Sequence, residues 1–363
     1  MSPTARHRQR ASTRVRCLLA ACAALGARAD EGATLPPGLH DRVAFSSYAP
    51  LAANSELVRR LLSPLAAEAI RARLAGTGEG LIEQSLDLTQ ESFTVYVPRS
   101  APPQSYALLV FVPPWKDARL PDGWGPVLDQ YGVLFVSAAR SGNEADVIGR
   151  REPLALHGAY NLMQRYRVDP QRVYVGGFSG GSRIALRLAL AYPDLFRGAL
   201  LNAGSDPLGA DPPTVPPPEL FGRFQEGSRL VYVTGGRDLT PLAVDGASLD
   251  SMRRGCVFDV DAQTTADAGH EVASPAALAR ALHALSAPRT PDARRLTTCR
   301  AGLERDLAAA VAKVRALIGA GRRADAQREL TAIDRRFGGL AAGPSLELQA
   351  QLRPDAASAN HGT

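Results

Sequence analysis

The chain has 363 residues, 45% of them hydrophobic and 21% charged, enough for one large α/β domain and a small extra module. Its net charge of +6 does not imply a nucleic-acid partner. Six arginines and no acidic residue fall within positions 1–29, and the remainder is close to neutral.

Residues 1–29 read as an export signal. An Arg-rich start ends at Arg16, residues 17–26 form a short apolar run, and Ala27-Arg28-Ala29 offers a small-x-small cleavage site. That run is too short to cross a bilayer, and no later run approaches the roughly 20 apolar residues a spanning helix needs. No transmembrane segment is therefore expected, and the destination is periplasmic or secreted. Leu19-Ala20-Ala21-Cys22 also fits a lipoprotein processing box, so lipidation through Cys22 is the alternative. With Cys17 and Cys22 removed, Cys256 and Cys299 remain. An even pair in an exported chain suggests a disulfide, two free buried thiols being the other reading.

Residues 30–80 read as an N-terminal segment, loop-like over 30–53 and helical in two pieces over 54–75. Ser63 caps the second piece and Pro64 opens it. Residues 81–88 and 92–97 alternate like an antiparallel hairpin. The span 81–290 is then read as an α/β domain. Strands are expected at 106–112, 132–136, 173–175, 198–203, 229–234 and 256–260. Helices are expected at 152–167, from about Gly180 to Ala191, and at 275–285. Apolar strands alternating with helices imply a mostly parallel sheet covered on both faces. An insertion at 207–224 holds six prolines and reads as part of a pocket rim or as a surface loop. Residues 300–352 carry helical spacing in two runs, a helical hairpin of roughly tetratricopeptide size. One such unit cannot bury itself, so contact with the α/β domain or with another subunit is expected. Residues 353–363 form a polar tail.

The stretch Arg172-Val-Tyr-Val-Gly-Gly-Phe-Ser-Gly-Gly181 carries the chemistry. It reads as a buried strand, a Gly-x-Ser-x-Gly turn at Gly177–Gly181, and the start of a helix. A serine on so sharp a turn has its hydroxyl forced outward, and flanking glycines avoid clashes that a Cβ would make. The helix N-terminus behind Ser179 offers N–H groups to a developing oxyanion. The same pattern also fits an ordinary turn with a capping serine.

A nucleophilic serine needs a base, and the base needs an orienting acid. In this arrangement the chain order is Ser, acid, His. Asp238 follows the strand at 229–234 after Gly235 and Gly236. Asp206 and Asp245 are its rivals. His270 lies on the loop between the last strand and the last helix, whereas His157 and His283 fall within helices. Gly180 supplies the first oxyanion donor. On the loop after the strand at 106–112, Pro113 and Pro114 have no N–H, so Trp115 is the first possible second donor. No metal motif, P-loop or dinucleotide fingerprint is present, and no cofactor is expected.

These residues resemble the α/β-hydrolase superfamily, and within it the secreted polyhydroxybutyrate depolymerase, feruloyl esterase and acetylxylan esterase group. The resemblance rests on Phe93-Thr-Val-Tyr-Val-Pro98, on Val168 to Gly181, on Tyr192-Pro-Asp-Leu-Phe196, on Gly235-Gly-Arg-Asp238 and on Gly269-His270. It covers about residues 85–287. It implies Ser179 as nucleophile, His270 as general base and acid, and Asp238 as orienter. Where members of that group carry His-Gly in the oxyanion loop, this chain has Pro113-Pro114-Trp115. The expected activity is cleavage of small or polymeric carboxylic esters through an acyl-enzyme. The alternatives are a serine peptidase on the same fold, or a catalytically silent hydrolase domain that binds partners through its helical hairpin.

Overall fold

The computed structural model describes residues 33–78, 86–210, 212–290 and 292–353. The signal expected at 1–29, most of the strand expected at 81–88 and the tail after Arg353 lie outside the described residues.

The strands are β1 (Gly38–Val43), β2 (Phe93–Val97), β3 (Tyr106–Val112), β4 (Val133–Ala138), β5 (Val168–Phe178), β6 (Gly198–Asn202), β7 (Arg229–Gly235) and β8 (Val260–Thr265). They form one sheet in the order β1-β2-β4-β3-β5-β6-β7-β8. Pairing is antiparallel at β1·β2 and β2·β4 and parallel from β4 through β8. The continuous apolar strands read from the sequence are buried on both faces because successive side chains point to opposite sides. In β3, Leu108, Val110 and Val112 enter one core cluster while Ala107, Leu109 and Phe111 enter the other. In β7, Leu230 and Tyr232 divide from Val231 and Val233 in the same way.

The first face is covered by α4 (Glu152–Arg165), α5 (Gly180–Ala191) and α6 (Pro218–Gly227), through Leu154, Leu162, Leu186, Leu188, Phe221 and Phe224. The second is covered by α3 (Trp124–Tyr131) and α8 (Pro275–Ser286), through Trp124, Leu128, Leu278 and Leu282. Trp124 also donates its indole N–H to the Ala273 carbonyl at 2.8 Å, fixing the chain just before α8.

Several elements differ from the sequence reading, each for a physical reason. The segment expected as loop at 30–53 contains β1, whose Leu39 lies opposite Tyr96 of β2. As an edge strand it is largely exposed, so it carries no apolar alternation. The described end of the strand expected at 81–88 is instead a 3₁₀ turn, Leu88–Gln90, capped by Asp87. The strand expected at 256–260 is a turn in which Cys256 has φ 64°. Strand β8 starts only at Val260 and is a half-exposed edge. Helix α7 (Leu239–Arg254) has no expected counterpart because its buried positions are Asp245, Ser248, Ser251 and Met252, mostly polar.

The N-terminal helices form as α1 (Asn54–Leu61) and α2 (Pro64–Thr77), with the Ser63 hydroxyl accepting from the Ala66 N–H. Beyond the sheet, the expected hairpin is three helices: α9 (Ala293–Gly319), α10 (Arg323–Phe337) and α11 (Ala342–Leu352). The third was missed because only a short 3₁₀ turn, Gly338–Ala341, separates it from α10. Val311, Val314, Leu330, Ile333, Phe337 and Leu348 build its core, and Leu65 of α2 packs against it. Asp334 bonds the Ser63 hydroxyl at 2.5 Å and accepts the Leu65 N–H at 3.2 Å. The proline-rich insertion meets α10 from the other side, where the Gly339 N–H donates to the Val215 carbonyl at 2.7 Å. A disulfide joins Cys256 to Cys299 of α9. The module thus packs on α2 and on the proline-rich insertion of its own chain. No helix among the described residues is long and apolar enough to cross a membrane.

Candidate active site

Strand β5 ends at Phe178 and helix α5 begins at Gly180, so the whole reversal falls on Ser179. Its φ is 54° and its ψ is −123°, a region that non-glycine residues avoid unless the surroundings enforce it. The enforcing contacts are backbone. Ser179 N–H donates to the Asn202 carbonyl at 2.8 Å. A Cβ on Gly177 would lie 2.1 Å from the Gly181 carbonyl oxygen, and one on Gly181 would lie 1.9 Å from that of Val112. Only glycine permits strand, turn and the following loop to approach this closely.

The loops bearing Asp238 and His270 meet by the same device. A Cβ on Gly235 would lie 2.3 Å from the Gly269 carbonyl oxygen, and one on Gly236 would lie 2.5 Å from that of Ala266. Across this contact the Arg237 N–H donates to the Ala268 carbonyl at 3.0 Å. His270 Nδ1 is 2.7 Å from Asp238 Oδ2, and His270 Nε2 is 2.9 Å from Ser179 Oγ. Its ring packs on Phe178, with centroids 5.0 Å apart. The Asp238 side chain is 11% exposed and that of His270 46%, which leaves the reacting edge open to the cleft.

The rival acids point elsewhere. Asp206 pairs with Arg183 at 3.2 Å. Asp245 is buried, accepts the Ser205 N–H at 2.7 Å, and bonds the Thr234 hydroxyl at 2.5 Å. Burial pushes both carboxyls above their ordinary range. His157 is buried in α4, where Nδ1 takes the Ala49 N–H at 2.9 Å. Burial pulls its pKa down to about 4.

Trp115 stands between Phe111 and Phe178, with the Arg119 guanidinium over its ring. It packs beside the serine turn but does not line the cleft in front of Ser179. That cleft has a volume of about 440 Å³ and is lined by Ser179, Gly180, His270, Asn143, Arg151 and Arg183, among others. Pro212 of the insertion contributes to its wall. Sequence reasoning missed Asn143, from the turn after β4, and Arg151, which ends the helical turn Val147–Arg151 leading into α4. It also missed Asn202. The side chain of Asn202 accepts from Ala273 N–H at 2.7 Å and donates to the Val233 carbonyl at 2.8 Å. One buried amide thereby ties β6, β7 and the loop after His270 together. Among the described residues no group of His, Cys, Asp and Glu is arranged to hold a metal ion.

The sheet order, the serine turn between β5 and α5, and loops after β7 and β8 that carry an acid and a histidine define an α/β-hydrolase fold. No protein-family model matches the chain. A poly(3-hydroxybutyrate) depolymerase of Ralstonia pickettii is 31% identical over 98 residues, 23% of this chain. That match spans only 20% of the depolymerase's own length. Among solved structures, a ferulic acid esterase aligns with a TM-score of 0.42 at 16% identity, over 54% of this chain and 92% of its own. A poly(3-hydroxybutyrate) depolymerase from Bordetella parapertussis aligns at 0.41 and 17%, over 58% and 88%. An S-formylglutathione hydrolase from Staphylococcus aureus aligns at 0.42 and 12%, over 54% and 92%.

Proposed function

We propose that the chain is an exported serine hydrolase that cleaves carboxylic esters. The observation that carries this reading is the pair of contacts made by His270, 2.9 Å to Ser179 Oγ and 2.7 Å to Asp238 Oδ2. Ser179 Oγ attacks the ester carbonyl carbon while His270 Nε2 takes its proton, and the carbonyl π pair moves onto oxygen. Asp238 holds the imidazole with Nε2 facing Ser179 and stabilises the imidazolium that forms. The oxyanion is held by the Gly180 N–H at the start of α5; Trp115, which does not line the cleft, is left out of that role. Collapse of the intermediate expels the alcohol, which takes the proton from His270. Water then enters with His270 as base and releases the acid and free Ser179. The Cys256–Cys299 disulfide supports an oxidising destination, in line with the export signal read at 1–29.

A panel of para-nitrophenyl esters of increasing acyl length, run beside peptide para-nitroanilides, tests this. Ester turnover that disappears in Ser179→Ala is expected. Turnover of the anilides alone would make the chain a peptidase.

A further inference from the structure

Among the described residues, the cleft in front of Ser179 holds more positive than negative charge. Arg151, Arg183 and Arg187 line it there against one carboxylate, Asp206. Arg183 is neutralised by Asp206 at 3.2 Å, and Arg187 by the buried Glu152 at 2.6 Å. Among the described residues Arg151 has no such partner. It is 4% exposed, its Nε donates to the Ser141 carbonyl and its Nη2 to the Pro113 carbonyl, each at 3.0 Å. Both acceptors are neutral, and among the described residues no carboxylate comes within ion-pair distance. Glu144 and Glu152 act on it only at longer range, and burial pulls its pKa down to about 10. A buried guanidinium on the cleft wall, held by two neutral carbonyls, is oriented and lacks a direct ion-pair partner among the described residues.

Resting on the ester-hydrolase reading, we propose that Arg151 receives a free carboxylate on the substrate, so that the preferred substrates are anionic esters. The two carbonyl bonds fix the plane of the guanidinium before the substrate arrives. The incoming carboxylate supplies the countercharge that the protein withholds. Neutral esters of the same length then leave that charge buried and unpaired, which costs binding. The carboxylate could sit on the acyl part, as in a monoester of a dicarboxylic acid, or on the alcohol part, as in an acylated hydroxy acid.

The test compares kcat/KM for para-nitrophenyl hydrogen glutarate with that for para-nitrophenyl hexanoate. A second pair, an acetoxybutanoate and its methyl ester, reports the alcohol side. The wild-type protein should favour the charged member of at least one pair. In Arg151→Met that preference should fall by about ten- to a hundredfold, the usual effect of losing a charge-assisted hydrogen bond, and Arg151→Lys should restore part of it. If Arg151 only clamps the Ser141 and Pro113 loops, both members fall together and the ratio stays constant, which overturns the inference. Should Arg151→Met not fold, wild-type inhibition decides. Free glutarate should compete with the neutral ester and glutaramide should not, and equal or absent inhibition by both overturns it. Turnover of neutral esters without a charged preference removes this inference and leaves the hydrolase reading standing. Turnover of none of the four esters, with Ser179 unreactive to a fluorophosphonate, removes both.

Discussion

A methyl group on Gly181 would lie 1.9 Å from the carbonyl oxygen of Val112. The end of β3 and the start of α5 are therefore in backbone contact, and the loop carrying Pro113-Pro114-Trp115 is laid over the serine turn. Since neither side of this contact is a flexible side chain, Gly181→Ala must displace β3 or α5. The expected loss of stability is about 3 kcal/mol or more, at or beyond the upper end of overpacked core changes. Urea unfolding followed by circular dichroism measures it. A variant within 1 kcal/mol or so of wild type would contradict the close packing.

Asp238 and Asp206 make opposite predictions. Asp238→Asn should lower ester kcat by about a thousand- to ten-thousandfold through loss of the correct imidazole tautomer, while melting as the wild type does. Asp206→Asn breaks only a rim ion pair with Arg183, side chains 30% and 52% exposed, and should change kcat far less. Steady-state kinetics of the two variants side by side check this. The reverse ranking would make Asp206 the orienting acid.

His157 couples stability to pH. Its pKa is about 4 when folded, against 6.5 when exposed, so the folded state disfavours its proton. The stabilisation is full above pH 6.5 and is lost as pH falls toward 4, reaching roughly 3 kcal/mol. Glu152 and Asp245, whose carboxyls burial raises, act with the opposite sign over the acid range. The informative quantity is therefore the difference between wild type and His157→Asn, whose amide oxygen can still accept from Ala49. Melting curves from pH 4 to 7 should fall less steeply in the variant on the acid side. Parallel curves would rule out His157 as the titrating group.

The Cys256–Cys299 bridge closes 43 residues, for which loop-closure entropy gives roughly 4 kcal/mol. It ties α9 to the turn after α7. Reduction, or Cys256→Ser, should lower the guanidinium midpoint of the wild type by a corresponding amount. Reductant should leave the midpoint of Cys256→Ser unmoved. An unchanged wild-type midpoint under reduction would argue against the bridge.

What was legible in the sequence follows physical rules. Strands β3, β5 and β7 have apolar runs buried on both faces, so they stand out, and Ser179 and Asp238 follow β5 and β7, whereas His270 follows β8. Strands β1 and β8 are edges with exposed side chains, and their pattern is weak. Helix α7 buries Asp245, Ser248 and Ser251, where a search for apolar spacing finds nothing. Arg151, Asn143 and Asn202 were beyond reach for another reason. Their roles come from tertiary neighbours, and an isolated Arg or Asn carries no spacing to read.

The account depends most on Ser179 being a nucleophile activated by His270. Incubation of the purified protein with a fluorophosphonate, followed by peptide mass mapping, tests this most directly. The prediction is stoichiometric modification of Ser179, absent in Ser179→Ala and strongly slowed in His270→Ala. A folded protein that takes up no label, or takes it elsewhere, would contradict the account.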